Sequence, residues 1–128
     1  MFRFQYNYAI LRYVPDLKRC EPLNFGVIVE KRGRAGSSQE VALRFNKSFN
    51  PRSKKHSFNR KNYKEWINFF EERTKELQKE SVESIIKELR ENLRNTPHNY
   101  TLTESLIFES NSDSLDATAN YLYDTCVA

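Results

Sequence analysis

The stretch from Phe2 to Val14 alternates in the manner of a β-strand, with Phe4, Tyr6, Tyr8 and Ile10 on one face and Arg3, Gln5 and Asn7 on the other. Towards its end the second face turns apolar as well, through Ala9, Leu11 and Tyr13. A strand with two apolar faces must be covered on both sides, so it is expected to be central in a sheet over its C-terminal half. Pro15 has a fixed φ and no N–H, which should stop the ladder at Val14-Pro15-Asp16 and give way to a polar connection through Leu17 to Pro22.

A second strand is expected over Leu23 to Lys31, with Gly26 marking a bulge or the close approach of another group. Arg32 to Ser38 reads as a hairpin loop and Glu40 to Phe45 as the third strand of an antiparallel meander. The segment from Asn46 to Arg60 is polar, carries Pro51 and follows neither the strand nor the helix period. Beyond it, Tyr63, Trp66, Ile67, Phe70, Thr74 and Leu77 recur at spacings of three and four, as do Val82, Ile85, Ile86, Leu89 and Leu93. These are two amphipathic helices, or one long helix broken near Lys79-Glu80-Ser81. Thr101 to Phe108 reads as a fourth strand with Leu102, Leu106 and Phe108 on its apolar side. A final helix follows, with Asp113 as candidate N-cap and Leu115, Ala119, Leu122 and Cys126 as its buried stripe.

The order βββααβα implies an α+β fold of two layers, an antiparallel sheet of about four strands packed against helices. A chain of 128 residues suits a single domain. Within it, 1–46 form the meander, 47–61 a basic loop, 62–95 the helical segment, and 102–127 the last strand and helix. Mean hydropathy is low, at −0.79, yet 13% of residues are aromatic, which is too many for a disordered chain.

The net charge of +4 is a cancellation. Residues 1–64 hold 15 basic and 4 acidic side chains, whereas residues 65–128 hold 6 and 13. No apolar run approaches the ~20 residues of a membrane helix, and no apolar segment with a cleavage site follows Met1. Cys20 and Cys126 stand far apart and form no CxxC pair, as expected in a reducing compartment, so a cytoplasmic location is expected.

Tests for enzyme chemistry return little. Asp16, Glu21 and Glu30 are the acids a metal-dependent nuclease would draw on, but Lys31 is adjacent to Glu30 and projects to the opposite strand face, where such a site needs both on one face. Glu30 with Arg32 restores the spacing with the wrong cation. His56 and His98 lack ligand-spaced neighbours, and neither a nucleophile elbow nor a phosphate-binding glycine loop is present. No metal or cofactor is expected. The notable feature is an acid-free segment containing Arg44, Lys47, Arg52, Lys54, Lys55, Arg60, Lys61 and Lys64, interleaved with Phe49, Phe58 and Tyr63. Cations neutralise phosphates and rings stack on unpaired bases, so nucleic-acid binding is one reading. Contact with an acidic protein surface, or with the acidic half of its own chain, is a second, and a merely solvated loop the third.

Tyr8-Ala9-Ile10-Leu11-Arg12-Tyr13-Val14-Pro15-Asp16, followed by Glu21-Pro22-Leu23-Asn24-Phe25-Gly26-Val27, resembles the opening of the bacterial family filed as domain of unknown function 3037. Its members begin with a strand reading Y-x-x-L-R-Y-V-P-D and continue into E-x-x-N-[VF]-G-V. The acidic link and terminal helix from Glu109 to Val127 are similar to the family's ending, whereas the long basic stretch departs from its usual short link. The resemblance implies Arg12, Asp16, Glu21, Asn24 and Gly26 as special positions, either fixing the hairpin or presenting a partner or ligand site. It also implies a small accessory protein, often encoded beside a kinase-fold protein of the HipA-like toxin type. The expectation is a non-enzymatic binding module of a toxin–antitoxin or defence-type system acting through a protein partner. Nucleic-acid binding is the alternative and a metal-dependent nuclease a distant third.

Overall fold

In the computed structural model, residues 4–14, 23–31, 40–49, 59–80, 84–93 and 100–127 are described. The strand that must be covered on both sides is β1 (Phe4–Tyr13), and it lies inside the sheet. One edge pairs with β2 (Leu23–Lys31), which in turn pairs with β3 (Glu40–Phe45). The other edge pairs with two short strands, β4 (Tyr100–Leu102) and β5 (Leu106–Ser110), every pairing being antiparallel. The helices are α1 (Arg60–Lys79), α2 (Ile85–Leu93) and α3 (Leu115–Cys126). Among the described residues no helix is long and apolar enough to cross a membrane.

The α+β class and element order are as expected, but the sheet carries helices on both faces and is the middle of three layers, not two. Ala9, Leu11 and Tyr13 project with Phe25 and Ile28 into a core shared with Trp66, Ile67 and Phe70 of α1 and Ile85, Ile86 and Leu89 of α2. Tyr6, Val27, Val29 and Ala42 project the other way and pack against Ala119 and Leu122 of α3. The physical reason is strand parity. β2 is apolar at consecutive positions, so each of its faces needs its own cover.

Two irregularities in the ladder set these layers. Leu11 pairs with Gly26 but Arg12 pairs with Asn24, so Phe25 is the extra residue of a bulge. A Cβ at Gly26 would lie 2.8 Å from Leu11 Cδ1 and 2.9 Å from the Arg44 carbonyl oxygen, and that backbone atom cannot swing aside. On the far edge, Leu11 pairs with Leu102 while Tyr8 pairs with Leu106, so Thr103, Glu104 and Ser105 span the space opposite Ala9 and Ile10. Thr103 holds this second bulge with both hands. Its N–H donates to the Ile10 carbonyl and its Oγ1 accepts from the Ile10 N–H at 2.8 Å. The single strand expected over 101–108 therefore becomes two. Tyr100 and Leu102 face the α1–α2 layer, and Phe108 faces the α3 layer.

Helix ends are fixed by side chains. Asn59 caps α1 by accepting from the Asn62 N–H, and the buried stripe Tyr63, Trp66, Ile67, Phe70, Thr74 and Leu77 is the one the periodicity predicts. The N-cap of α3 is Ser114, which accepts from the Ala117 N–H, whereas the expected Asp113 pairs with Lys31. Thr118, Ala119 and Leu122 form the buried stripe of α3, with Cys126 only half-buried. At α2, Ser84 accepts from the Lys87 N–H and donates to Glu30 Oε1 at 2.9 Å. Glu30 Oε2 accepts from the Ile85 N–H at 3.0 Å. A carboxylate from β2, 1% exposed, thus supplies the negative charge that the first turn of a helix prefers.

The aromatic centre lies under α1. Phe25 meets Phe49, Tyr63, Trp66 and Tyr100 at centroid separations of 5.4–5.8 Å, and Trp66 stacks on Tyr100 at 4.9 Å. Burial pushes the Tyr100 phenol from its usual 10.0 up to about 12, with the neighbouring Tyr13 adding to the shift. Burial also raises Tyr13 and, more strongly, Tyr63, whose hydroxyl donates to the Asn46 carbonyl at 2.6 Å.

Glu30→Ala should leave the Ile85 N–H and Ser84 hydroxyl unpaired and lower the unfolding free energy by about 2–4 kcal/mol, while Glu30→Gln, which keeps one acceptor, should cost about 1–2. Urea unfolding reads both, and an Ala variant within about 0.5 kcal/mol of the parent would remove the cap argument. A second expectation concerns alkali. The folded state holds its phenolic protons to higher pH than the unfolded chain, so the stability they confer is complete below pH 10 and falls as pH rises towards 12. Tyrosinate absorbance should therefore rise together with unfolding for the buried rings, and independent titration of all tyrosines near 10 in a folded protein would contradict it.

Candidate functional site

Of the five signature positions, Arg12, Asn24 and Gly26 are brought together at the first bulge, and Asp16 and Glu21 lie outside the described residues. Arg12 and Asn24 are cross-strand partners, and Arg12 Nε donates to Asn24 Oδ1 at 2.9 Å. Asn24 Nδ2 then donates to the Cys126 carbonyl at 3.0 Å. That carbonyl belongs to the last turn of α3, which has no basic residue of its own. The pair therefore caps the negative end of α3 from the sheet, with the guanidinium polarising the amide. Together with the tight space around Gly26, this is the arrangement that fixes the hairpin and seats α3.

The basic segment does not form one surface. Arg44 points towards α3, where Nη2 pairs with Asp116 at 2.9 Å and Nε donates to Asn120. Lys31 likewise reaches across to Asp113, whose carboxylate accepts its hydrogen bond and raises the lysine's pKa. Phe49 and Tyr63, expected as stacking platforms, are 8% and 3% exposed and belong to the core. Their rings are consumed by packing and cannot receive bases. Arg52, Lys54, Lys55 and Phe58 lie outside the described residues. Among the described residues, what stays exposed is Lys47 together with Arg60, Lys61 and Lys64 at the start of α1, whose first turn holds no acid to balance the helix dipole.

Glu30, the described member of the acid trio, has both oxygens engaged at the start of α2. His56 and His98 are outside the described residues. Among the described residues, no three His, Cys, Asp or Glu side chains gather as metal ligands do.

A surface that sequence reasoning missed lies along β5 and α3. Leu106, Ile107 and Tyr121 are 45%, 64% and 56% exposed, and Tyr121 stacks on Phe108 at 5.6 Å. A cleft of about 430 Å³ lies between β5 and α3, with Phe108, Ser110, Thr118 and Tyr121 among its lining. Among the described residues β5 pairs only with β1. The sequence signal was available. Leu106-Ile107-Phe108 is an apolar triplet that does not alternate, yet only Phe108 finds cover, against α3, while Leu106 and Ile107 stay exposed. Another cleft, of about 270 Å³, lies between β3 and α1, with Glu71 and Lys75 among its lining.

Compared with known proteins, residues 8–122 match the model of the family described as "Protein of unknown function (DUF3037)". No curated protein and no solved structure matches the chain. The family match begins within β1, ends within α3 and so spans both layers of the core around the Arg12–Asn24 cap. The chain belongs to the DUF3037 family.

Proposed function

We propose that this protein is a non-enzymatic binding module that acts through a protein partner docked on the β5 edge. The observation that carries this reading is the exposure of Leu106, Ile107 and Tyr121 around a strand that, among the described residues, pairs with β1 alone. An edge strand that is meant to stay solvated is ordinarily kept short and interrupted by lysine or proline, and the β5 triplet carries neither. The other sites considered have their polar groups turned inward. Arg12 and Asn24 cap α3, and Glu30 caps α2. A partner of a toxin–antitoxin or defence-type system, with a HipA-like kinase-fold protein the first to be tried, remains the functional setting proposed from the family resemblance.

A second reading, nucleic-acid binding, draws on a different surface. Lys47, Arg60, Lys61 and Lys64 are exposed around the start of α1, at the positive end of its dipole. Without Phe49 and Tyr63 the contact would be to phosphate, with little preference for sequence.

Co-expression with the product of the neighbouring gene, followed by size-exclusion chromatography, tests the first reading. The complex should form with the parent chain, be lost with Ile107→Lys and survive Lys61→Glu; persistence of the complex with Ile107→Lys would overturn β5 as the docking edge. For the second reading, a labelled single strand should bind at low salt, weaken steeply at moderate salt and be lost with Lys61→Glu/Lys64→Glu. That double variant should also be slightly more stable than the parent, by about 0.5 kcal/mol, because it relieves an unfavourable charge–dipole contact. Binding is thereby separated from folding, and the absence of low-salt binding by the parent chain would dispose of this reading.

A further inference from the structure

We infer that two copies of this chain pair through β3, with Glu40 to Phe45 running antiparallel to its own copy about a two-fold axis at Ala42. β3 stands at the other end of the sheet from β5, so this pairing is independent of docking on β5. Among the described residues β3 pairs with β2 alone. The Asn46 N–H donates to the Phe25 carbonyl at 2.8 Å, which fixes the phase of that ladder. Counting back by twos, Arg44, Ala42 and Glu40 turn their backbone groups to β2, whereas Phe45, Leu43 and Val41 turn theirs away from it. A further antiparallel strand would hydrogen-bond to those outward groups.

Charge selects the occupant. Glu40 and Arg44 are the only charged residues of β3, and they stand two positions either side of Ala42. With Ala42 opposite its own copy, Glu40 lies opposite Arg44 at both ends and Val41 lies opposite Leu43, so the strand is complementary to itself. The outward groups of Val41 and Leu43 then meet as hydrogen-bonded pairs, and Ala42 meets its copy at the closer, non-hydrogen-bonded position, where a methyl group fits. Moving the centre to Leu43 would put Arg44 opposite Ala42 and lose both ion pairs. Glu40 is exposed, and Lys31, its partner across the ladder, is held by Asp113. Arg44 keeps Asp116 and Asn120 through Nη2 and Nε, while its Nη1 donates to the Leu43 carbonyl. On pairing, the Val41 N–H of the second copy takes that carbonyl, and Nη1 turns to the Glu40 opposite.

The α1 face has room for the second copy. Val41 and Leu43 are only half-buried there, and they line a cleft of about 270 Å³ with Glu71, Thr74 and Lys75 of α1. Leu43 of the second copy would lie beside Val41 and enter this cleft, covering apolar surface that α1 leaves uncovered. Glu71 and Lys75 carry one charge of each sign, so the cleft of a second copy brings no net charge with it.

The full chain, measured by sedimentation equilibrium over a range of concentrations, should form a dimer of twice 15.2 kDa. Glu40→Arg sets an arginine opposite Arg44 and should weaken the dimer by at least about tenfold, and Arg44→Glu, which sets a glutamate opposite Glu40, should do the same. Mixed in equal amounts, the two variants should recover the dimer, because each charge then finds its opposite. A role confined to the fold of one chain would not give that recovery. Ile107→Lys should leave the dimer intact. A parent chain that stays monomeric up to about 1 mM, a dimer unmoved by Glu40→Arg, or a mixture of the two folded variants that fails to recover it would overturn the inference. Circular dichroism checks the fold of each variant. If Arg44→Glu does not fold, Glu40→Arg, at an exposed position, decides alone: loss of the dimer upholds the pairing and its persistence overturns it. A dimer lost with Ile107→Lys and unmoved by Glu40→Arg would place self-association at β5 instead.

Discussion

The ten residues of β1 hydrogen-bond to partners along both edges while sending side chains into two separate apolar layers, and each remaining element is placed by one of those obligations. Ala9, Leu11 and Tyr13 require α1 and α2; Tyr6 requires α3. Because the strand is central, an error in its register would exchange the two faces and bury Gln5 or Asn7 where Tyr6 belongs. The register is held by devices that act at one level of the sheet. Gly26 admits the close contact between β1, β2 and β3, and Thr103 pairs twice with Ile10 on the opposite edge. Arg90 of α2 donates to the Thr103 carbonyl, so the same bulge also anchors a helix.

Much of this architecture was legible because its signals are local. The bounds of β2 and β3, the stripe of α1 and the bulge at Gly26 follow from alternation, from helical spacing and from the missing Cβ. What escaped depends on partners distant in the chain. The break in the strand over 101–108 arises from how it meets β1, and no residue within Thr103-Glu104-Ser105 announces it. Glu30 reads in isolation as a strand-end charge, and its role as cap requires knowing that Ser84 arrives beside it. Tyr63 teaches a different lesson. It belonged to the buried stripe of α1 and to the aromatic set of the basic segment at once, and both could not hold. Helical periodicity was the stronger constraint, since each of its neighbours in the stripe is buried as well.

The division of charge along the sequence also acquires a physical meaning. The basic meander and the acidic C-terminal part meet through Lys31 with Asp113 and Arg44 with Asp116. Both acids are largely exposed, so neither pair is a major source of stability, contacts of this kind contributing at most about 1 kcal/mol. Their effect is orientation. They fix the N-terminal end of α3 over β2 and β3, while Asn24 holds its C-terminal end through the Cys126 carbonyl. α3 is thereby clamped at both ends and the apolar surface beside Tyr121 is held open next to β5.

That open surface would be a liability were it not for the charges around it. Leu106, Ile107 and Phe108 form the kind of triplet that pairs edge to edge between copies of a chain. Glu104 and Glu109 stand at its ends within a region that has no cation of its own, so two copies approaching each other carry like charge into the contact. The core has no use for Ile107, which is 64% exposed although it stands on a strand directly paired to β1. A polar residue there would leave β1 and both apolar layers undisturbed. Ile107 is therefore spare to what β5 supports within, and that is the ground on which β5 is proposed as the docking edge.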